Sequence, residues 1–337
     1  MMDAISKHGI DENVLRSLPS VASVTKISRH GASAWTKRFR IDVQHTDQTK
    51  ASYFMKLSLD HHGKEALKGE YEGTAALHDL APELVPKPIA WGSLESKEDT
   101  HFYLTKFYEL GEQLPSEADF CKRLADLHHK HCSPNGKYGF HVTTYNGDLP
   151  QDNTYADTWE EFFVNGLKHV LALNRERGGV SEELESLVPD LLEKVIPRLL
   201  RPLETGGNSI KPSLVHGDLW CGNAAIDQED DKPIIFDPSS FWAHNEYELG
   251  NWRPARNKFS QSYFNAYHSH FPKASPEEDY DDRNALYALR FNLHAATLFP
   301  NMASFREMVI EEARRLIAKF PEGYDSWAQA SAGASEH

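Results

Sequence analysis

The chain has 337 residues, of which 40% are hydrophobic and 26% are charged, and this composition argues for a folded globular protein and against disorder. Its 36 lysines and arginines stand against 50 aspartates and glutamates, a net charge of −14 that argues against nucleic acid as a partner. No apolar run is long enough to span a membrane, the first 14 residues contain no apolar stretch typical of a signal peptide, and Cys121, Cys132 and Cys221 are scattered. These features predict a reducing, cytoplasmic location without disulfides or structural zinc.

Strand patterns dominate the chain up to about residue 110. Alternating apolar, β-branched and aromatic residues occur over 23–31, 33–45, 52–59 and 101–110. Such period-two segments predict strands. One helix is predicted over 64–80, where apolar residues recur at helical spacing before Pro82 ends the pattern. Residues 1–110 are therefore predicted to form a small β-rich lobe that contains one long helix.

Helical patterns dominate the remainder of the chain. They cover 116–131, 158–177, 181–203, 255–271 and 276–320, the last divided near Pro300. A capping box is expected at 157–160, since a helix of this kind begins at a polar residue followed three positions later by Glu. Residues 111–330 are predicted to form a larger helical lobe and 331–337 a flexible tail. The fold class is α+β, in a two-lobed layout that ATP-dependent kinases use.

Polar residues cluster in the one strand-containing stretch of the second half. His216, Gly217 and Asp218 precede Asn223 by a few positions, and Asp237 ends the apolar segment PIIFD. In phosphoryl transfer of the kinase type, a loop Asp accepts the proton of the attacking hydroxyl, while an Asn five residues later and a strand-end Asp hold magnesium. A pair of ordinary turns is the alternative, because Asp and Asn are favoured there. The ordered set demands more than turns need and favours the kinase interpretation.

The first half offers a lysine and a loop for binding phosphates. Lys56 lies in the predicted strand YFMKLSL, where a helix glutamate could pair with it, although a strand lysine can also simply face solvent. The spacing of Glu65, Glu70 and Glu72 does not choose among the three. The loop SRHGASAW at 28–35 could cover phosphates with its backbone amides, or could be a hairpin turn.

Trp220 and a group of three histidines each have more than one possible interpretation. Trp220 could line the acceptor pocket or be a packing anchor. His128, His129 and His131 follow a predicted helix end without a carboxylate or cysteine at metal-ligand spacing. A solvated face is therefore expected for the three histidines.

The sequence resembles a known family at these motifs. PSLVHGDLWCGNAA at 212–225 and IFDPSSFWAHNEYELG at 235–250 are similar to the signature of the fructosamine kinases, also called ketosamine 3-kinases. That family belongs to a group with aminoglycoside and choline kinases and, more distantly, protein kinases. Further segments at 85–92, 101–107, 123–128 and 149–163 also resemble the family, in the expected order. The resemblance implies a bilobal, protein-kinase-like fold.

The resemblance also implies roles for individual residues. Asp218 becomes the catalytic base, with Asn223 and Asp237 as magnesium ligands. ATP would be bound by the phosphate lysine Lys56 with its helix partner Glu70, by Gly31 and Ser33 of the loop, and by an adenine-binding hinge at Lys106, Phe107 and Tyr108. Trp220 becomes a wall for the sugar. The loop lacks the cysteine that several members carry, so redox control is not expected, and Glu248 stands where relatives have Asp.

The function implied by the resemblance is phosphorylation, by ATP and Mg²⁺, of the 3-hydroxyl of ketosamines. The substrates would be fructosamine or ribulosamine adducts, as small molecules or on glycated proteins, and the unstable 3-phosphate would lead to deglycation. One alternative is a kinase of the same fold for an aminoglycoside, choline or another amino-alcohol. A second is a nucleotide-binding scaffold without catalysis. The sequence leaves the preferred sugar, the natural carrier and the oligomeric state open.

Overall fold

The structure is a computed structural model that describes residues 9–130 and 133–334, without the side chains of 331–334. The α-helices are α1 (Glu12–Ser17), α2 (Asp60–Leu80), α3 (Glu117–His128), α4 (Trp159–Gly178), α5 (Glu182–Asp190), α6 (Ile196–Leu200), α7 (Glu246–Gly250), α8 (Gln261–His270), α9 (Tyr280–Leu298), α10 (Ala303–Lys319) and α11 (Gly323–Ala334). The strands are β1 (Val21–Arg29), β2 (Lys37–His45), β3 (Lys50–Leu59), β4 (Pro88–Ser93), β5 (Thr100–Lys106), β6 (Tyr145–Asn146), β7 (Leu149–Pro150), β8 (Ser213–Val215), β9 (Ala224–Asp227), β10 (Lys232–Ile235) and β11 (Phe241–Ala243). A π-helical turn, Leu191–Val195, connects α5 to α6.

The chain divides into two compact units that are not contiguous in sequence. The first comprises Met1–Ser116, Val142–Pro150 and Asn223–Ser240, and the second comprises Glu117–His141, Gln151–Gly222 and Phe241–His337. The predicted division at residue 110 lies close to Ser116, but two later segments also belong to the first unit. The β9–β10 hairpin joins that unit because the N–H of Gly111 donates to Ile226 O at 2.8 Å and the N–H of Ile235 donates to Leu84 O at 2.9 Å.

The first unit is built on an antiparallel sheet, in which the described strands have the order β1-β2-β3-β5-β4. Alternation along the strands sends side chains to opposite faces. One face buries Ile41, Met55 and Leu104 against α1, whose Val14 is 1% exposed. Four predicted strand segments are thereby confirmed as β1, β2, β3 and β5. The prediction lacks β4, because its short sequence PIAWGS begins with proline and has no alternation of apolar and polar residues.

Helix α2 packs beside this sheet and buries Leu67, Thr74 and Leu77. It begins four residues before the predicted start, because Asp60 caps the first turn: its carboxylate accepts the N–H of Gly63 at 3.1 Å. The polar residues of that turn carry no apolar pattern that a sequence could reveal. At Gly69, an added Cβ would lie 2.4 Å from Thr143 O, so glycine is required where the segment Val142–Pro150 crosses the helix.

The second unit is largely helical around aromatic cores, and it confirms the predicted helical segments. Trp159 of α4 donates its indole N–H to Tyr287 of α9 at 2.8 Å, and Trp252 stacks on Phe259 with ring centroids 4.6 Å apart. Helices α9 and α10 are separate on either side of Pro300, as predicted. No helix within the described ranges has the length and apolarity that crossing a membrane requires.

Two local predictions differ from the structure. Helix α4 is capped by Thr158, whose side chain accepts the N–H of Glu161 at 3.2 Å, so the cap lies one residue after the predicted Asp157. Helix α11 continues through Ala334, into the segment predicted to be a flexible tail, and residues 335–337 lie outside the described residues. The guanidinium of Arg198 lies 4.5 Å from the ring of Trp327, a tertiary contact of α11 that a weak local pattern does not foretell.

Candidate active site

The β9–β10 hairpin of the first unit brings Asn223 and Asp237 side by side. Its last antiparallel pair is Ala224 with Ile235, and the N–H of Phe236 donates to Asn223 O at 3.1 Å, which extends the pairing by one step. The amide Nδ2 of Asn223 then lies 3.5 Å from the carbonyl oxygen of Asp237. One tight hairpin thus brings together Asn223 and Asp237, which are fourteen residues apart in sequence and both carry side-chain oxygens.

Lys56 of β3 binds two carboxylates in the same unit. Its ammonium Nζ lies 2.7 Å from Glu70 Oε1 and 2.7 Å from Asp237 Oδ1, and the residue is only 4% exposed. Glu70 comes from α2, so the structure selects it from the three glutamates that spacing left open. A helix, a strand and a hairpin end therefore converge on a single buried ammonium.

Burial and charge act in opposite directions on this cluster. Burial favours the neutral form of Lys56 and would lower its pKa, but the carboxylates of Asp237 and Glu70 outweigh burial and raise the pKa. Burial also raises the pKa of Glu70, and Lys56 opposes that effect. Lys56 therefore remains a cation at neutral pH, which a residue that binds phosphate oxygens must be.

The loop between β1 and β2 is held by its own Ser33. The Ser33 hydroxyl oxygen accepts the N–H groups of Trp35 at 3.2 Å and Thr36 at 3.3 Å. Gly31 has φ +66°, a left-handed conformation that glycine adopts without steric cost. The loop is thus a local turn in which the Ser33 side chain already accepts two backbone donors, and these donors can bind a phosphate only after Ser33 releases them.

The three residues predicted to form an adenine-binding hinge do not face the same way. The ring of Phe107 contacts His30 with centroids 4.8 Å apart, and the guanidinium of Arg40 lies 4.4 Å from its centroid. Lys106 and Tyr108 instead line a polar cavity of about 480 Å³ beside β9 and β10. Because neighbouring residues of an extended chain alternate in direction, only the Phe107 side chain shares the sheet face of Lys56.

In the second unit, a buried carboxylate holds the backbone of the His216–Asp218 loop. Glu248 of α7 is fully buried and accepts the N–H groups of His216 and of Gly217, the latter at 3.1 Å. Gly217 has φ +80°, which allows the turn after β8. Charge-assisted hydrogen bonds of this kind are among the strong ones in proteins, so the loop has a rigid backbone. Glu248 thus holds the loop backbone, at the position where the family resemblance implied the shorter Asp.

Two asparagines position the side chain of Asp218. Asn251 donates its amide Nδ2 to Asp218 Oδ1 at 3.3 Å. The side chain of Asn257 in turn donates to Asn251 Oδ1 at 3.0 Å and also to the Asn251 carbonyl oxygen. The amide of Asn251 is fixed by this second contact, and it orients one oxygen of the Asp218 carboxylate.

Trp220 is exposed rather than a packing anchor. The residue is 41% exposed, and its ring lies over Gly222, where an added Cβ would come within 2.4 Å of the indole. The adjacent Leu219 is tied to the core, because Trp252 donates its indole N–H to Leu219 O at 3.1 Å. An anchored loop thus presents an exposed aromatic ring two residues after Asp218.

Comparisons with known proteins agree with one another. A family model for fructosamine kinase matches residues 21–319. The ketosamine-3-kinase of Mus musculus is 33% identical over 267 residues, which cover 73% of this chain and 82% of that protein. The chloroplastic protein-ribulosamine 3-kinase of Arabidopsis thaliana is 29% identical over 307 residues, 88% of this chain and 85% of that protein.

This chain belongs to the fructosamine kinase family. A solved structure of a candidate fructosamine-3-kinase from Thermobifida fusca is similar to it with a TM-score of 0.71 and 22% identity, covering 92% of this chain and 99% of that one. The predicted α+β, kinase-like fold is thereby confirmed. The chain is a phosphotransferase of the kinase class, as the family and its named relatives indicate.

One prediction about the histidines is wrong in this fructosamine kinase. His128 is fully buried, not solvated: its Nδ1 lies 2.8 Å from the Tyr267 hydroxyl and its Nε2 lies 3.7 Å from Glu248. The prediction failed because the carboxylate of Glu248 lies 120 residues further along the chain, where a local sequence pattern cannot detect it. His129 is exposed, as predicted, and stacks on Phe271, while His131 lies outside the described residues.

Sequence reasoning overlooked Arg38, Asn251 and Asn257. Arg38 of β2 is directly opposite Lys56 in the strand pairing, and its Nη2 lies 3.0 Å from Asp237 Oδ2. Arg38 could have been found by aligning the predicted strands of Arg38 and Lys56 as a hairpin, because directly paired residues lie on the same face of a sheet. No comparable local signal exists for the asparagines, which reach Asp218 through the packing of the second unit.

The pair Asn223 and Asp237 fits magnesium. An amide oxygen and a carboxylate are hard oxygen ligands, and Mg²⁺ commonly takes few protein ligands and completes its shell with phosphates and water. Within the described parts of the chain, no group of three His, Cys, Asp or Glu residues is suited to hold a metal. A magnesium site in this fructosamine kinase would therefore depend on nucleotide phosphates and water for most of its ligands.

Proposed function

We propose that this protein phosphorylates the 3-hydroxyl of ketosamines, taking the phosphoryl group from ATP. The observation that best supports this proposal is the buried Lys56 ammonium, which lies 2.7 Å from Glu70 and 2.7 Å from Asp237. A kinase needs such a lysine held in a fixed position to bind the phosphates of the nucleotide. A scaffold that only binds nucleotide has no need of a positioned Asp218 as well, so the presence of both residues favours catalysis.

The positions of individual residues support the following proposed roles. Lys56 binds phosphate oxygens, and Glu70 fixes the direction of its ammonium. Asp218, held by Asn251, orients the acceptor hydroxyl and takes its proton. Asn223 and Asp237 would hold Mg²⁺, which when bound neutralises charge on the phosphates. Positioning and charge neutralisation supply most of the rate enhancement in such reactions, and Glu248 supports both by holding the backbone before Asp218.

The acceptor is proposed from the relatives and from Trp220. The named relatives are a ketosamine-3-kinase and a protein-ribulosamine 3-kinase. An exposed indole next to the base suits the apolar face of a sugar ring, since aromatic side chains commonly line small-molecule sites. A phosphate on the 3-hydroxyl is adjacent to the ketosamine carbonyl and makes the adduct unstable, so the product releases the amine. The biological result is deglycation of small amines or of protein lysines.

The test incubates purified protein with Mg-ATP and four acceptors: a fructosamine, a ribulosamine, an aminoglycoside and choline. We expect phosphate on the 3-hydroxyl of one or both ketosamines, located by NMR, and loss of this activity in Asp218→Asn. Phosphate only on the aminoglycoside or choline would refute the proposed acceptor. Binding of ATP without transfer to any acceptor would identify a nucleotide-binding scaffold instead.

We also propose a cytoplasmic location. Cys121 and Cys221 are both free thiols, and burial raises the pKa of the Cys121 thiol to about 12. Free thiols are usual in reducing compartments. Fractionation of cells that express the full chain would test this, and recovery from an organelle would refute it.

A further inference from the structure

The second carboxylate oxygen of Asp237 is bound by a residue to which the proposed function gives no role. Arg38 Nη2 lies 3.0 Å from Asp237 Oδ2, while Lys56 binds Oδ1. Both oxygens of the proposed magnesium ligand are therefore bound by cationic side chains. A metal ion that binds Asp237 has to compete with the guanidinium of Arg38.

The four charged side chains of this cluster are electrically neutral in sum when neither metal nor nucleotide is bound. Arg38 and Lys56 are directly opposite each other on β2 and β3, a placement of like charges that is unfavourable unless anions neutralise it. Glu70 and Asp237 supply two negative charges against these two positive charges. A divalent cation added alone would leave two excess positive charges, whereas a cation that arrives with a triphosphate would not.

Arg38 also has hydrogen-bonding capacity to spare. Its Nε is buried and has no hydrogen-bond partner, and its side chain is 26% exposed. A guanidinium presents five N–H donors in a planar fork that matches the oxygens of a phosphate. The contact with Asp237 uses one of its nitrogens, and the unused Nε makes a bidentate anion a better partner than the present one.

We propose that Arg38 is a second phosphate-binding residue, and that it excludes metal from Asp237 until nucleotide is present. In the nucleotide-free protein, the guanidinium binds the Asp237 carboxylate. When metal and nucleotide enter together, Arg38 exchanges that carboxylate for phosphate oxygens and Asp237 becomes free to bind the metal. The inference rests on the proposed use of ATP, but not on the identity of the sugar acceptor.

The experiment measures Mn²⁺ binding by the full chain without nucleotide, using the electron paramagnetic resonance signal of free Mn²⁺. We expect Arg38→Gln to bind Mn²⁺ about tenfold more tightly than the wild type, because the competing cation is gone. Adding Asp237→Asn to Arg38→Gln should abolish this gain in Mn²⁺ affinity. The matched control is Lys50→Gln, which removes one positive charge from an exposed end of β3, about 20 Å along the strand from Lys56, and should leave Mn²⁺ affinity unchanged.

A second measurement tests the phosphate contact. Titration of the protein with ADP and Mg²⁺ should give a dissociation constant about tenfold higher for Arg38→Gln. Arg38→Lys keeps the charge but loses the fork, so it should exclude Mn²⁺ as the wild type does and still bind Mg-ADP more weakly. This variant also covers the case in which Arg38→Gln does not fold.

Two results would overturn the inference: unchanged or weaker Mn²⁺ binding by Arg38→Gln, or wild-type affinity of Arg38→Lys for Mg-ADP. Both measurements are made without an acceptor. If the nucleotide and metal results are as expected but no ketosamine is phosphorylated, the proposed acceptor fails and the role of Arg38 stands. If ketosamines are phosphorylated but Arg38→Gln behaves as wild type, only the role of Arg38 fails.

Discussion

Replacing Glu248 by Gln tests whether a buried carboxylate organises the loop before Asp218. Its carboxylate accepts the backbone N–H groups of His216 and Gly217 in a fully buried position. Gln is nearly the same size, but one of its two oxygen acceptors becomes an NH₂ donor. One backbone N–H then loses its acceptor and faces another donor, while the remaining hydrogen bond loses its charge assistance.

The expected cost follows from these two hydrogen bonds. A hydrogen bond to a charged group contributes about 1.5 to 3 kcal/mol, and a buried donor left unsatisfied costs about 1 to 3 kcal/mol. We therefore expect Glu248→Gln to lower the free energy of unfolding by about 2 to 4 kcal/mol. Because the same backbone carries Asp218, kcat should fall about a hundredfold, as small misplacements of catalytic groups do.

Urea denaturation gives the free energy of unfolding, and steady-state kinetics with a ketosamine gives kcat. Glu307→Gln is the matched control, because it makes the same substitution at an exposed position of α10 and should change neither quantity appreciably. Wild-type stability together with wild-type kcat in Glu248→Gln would show that the loop does not depend on this carboxylate. A loss of stability without loss of kcat would separate the fold from the positioning of Asp218.

Three further predictions concern the second unit. Asn251→Ala removes the donor to Asp218 and should lower kcat about tenfold with little change in KM for the ketosamine; an effect on KM alone would contradict a role in orienting the base. Gly222→Ala would place a Cβ 2.4 Å from the indole of Trp220, so it should displace that ring and raise KM for the ketosamine, whereas an unchanged KM would remove Trp220 from the sugar site. Burial lowers the pKa of His268 to about 4, below its unfolded value of about 6.5. The unfolded chain therefore binds more protons between these values, and the free energy of unfolding should fall by about 2 kcal/mol as pH drops from 6.5 to 4. His268→Gln should reduce this pH dependence in urea titrations, and an identical pH profile would refute the assignment.

The sequence was sufficient to predict the parts of the site that depend on local order. The strand of Lys56, the loop of Asp218 and the strand-end position of Asp237 all follow from patterns a few residues long. The choice of Glu70 among the three helix glutamates, by contrast, came from the structure, which buries its side of α2. Glu70 lies three residues after Leu67 and four before Thr74, spacings that place residues on the same side of a helix, and both neighbours are buried.

Other parts depend on contacts that no local pattern contains. His128 is buried because Glu248 and Tyr267 lie beside it, and both come from segments more than 110 residues away. The hinge is another case: the order Lys106, Phe107, Tyr108 does not reveal that the middle side chain contacts His30 while its neighbours line a cavity elsewhere. Tertiary packing decides such features, and local propensity cannot anticipate it.

At Asp237, the proposed function and the stability of the fold oppose each other. The Asp237 backbone has φ +59°, a left-handed conformation that costs an L-residue roughly 1 to 2 kcal/mol and that glycine adopts freely. Glycine would relieve this strain, but it would leave Lys56 and Arg38 opposite each other with Glu70 as the remaining counter-charge of the cluster. A carboxylate in a strained backbone, bound by two cations, is the pattern of a position set by chemistry rather than by folding. Asp237→Gly should therefore lose metal binding while costing less stability than the loss of two ion pairs would suggest, because the released backbone strain offsets part of that loss.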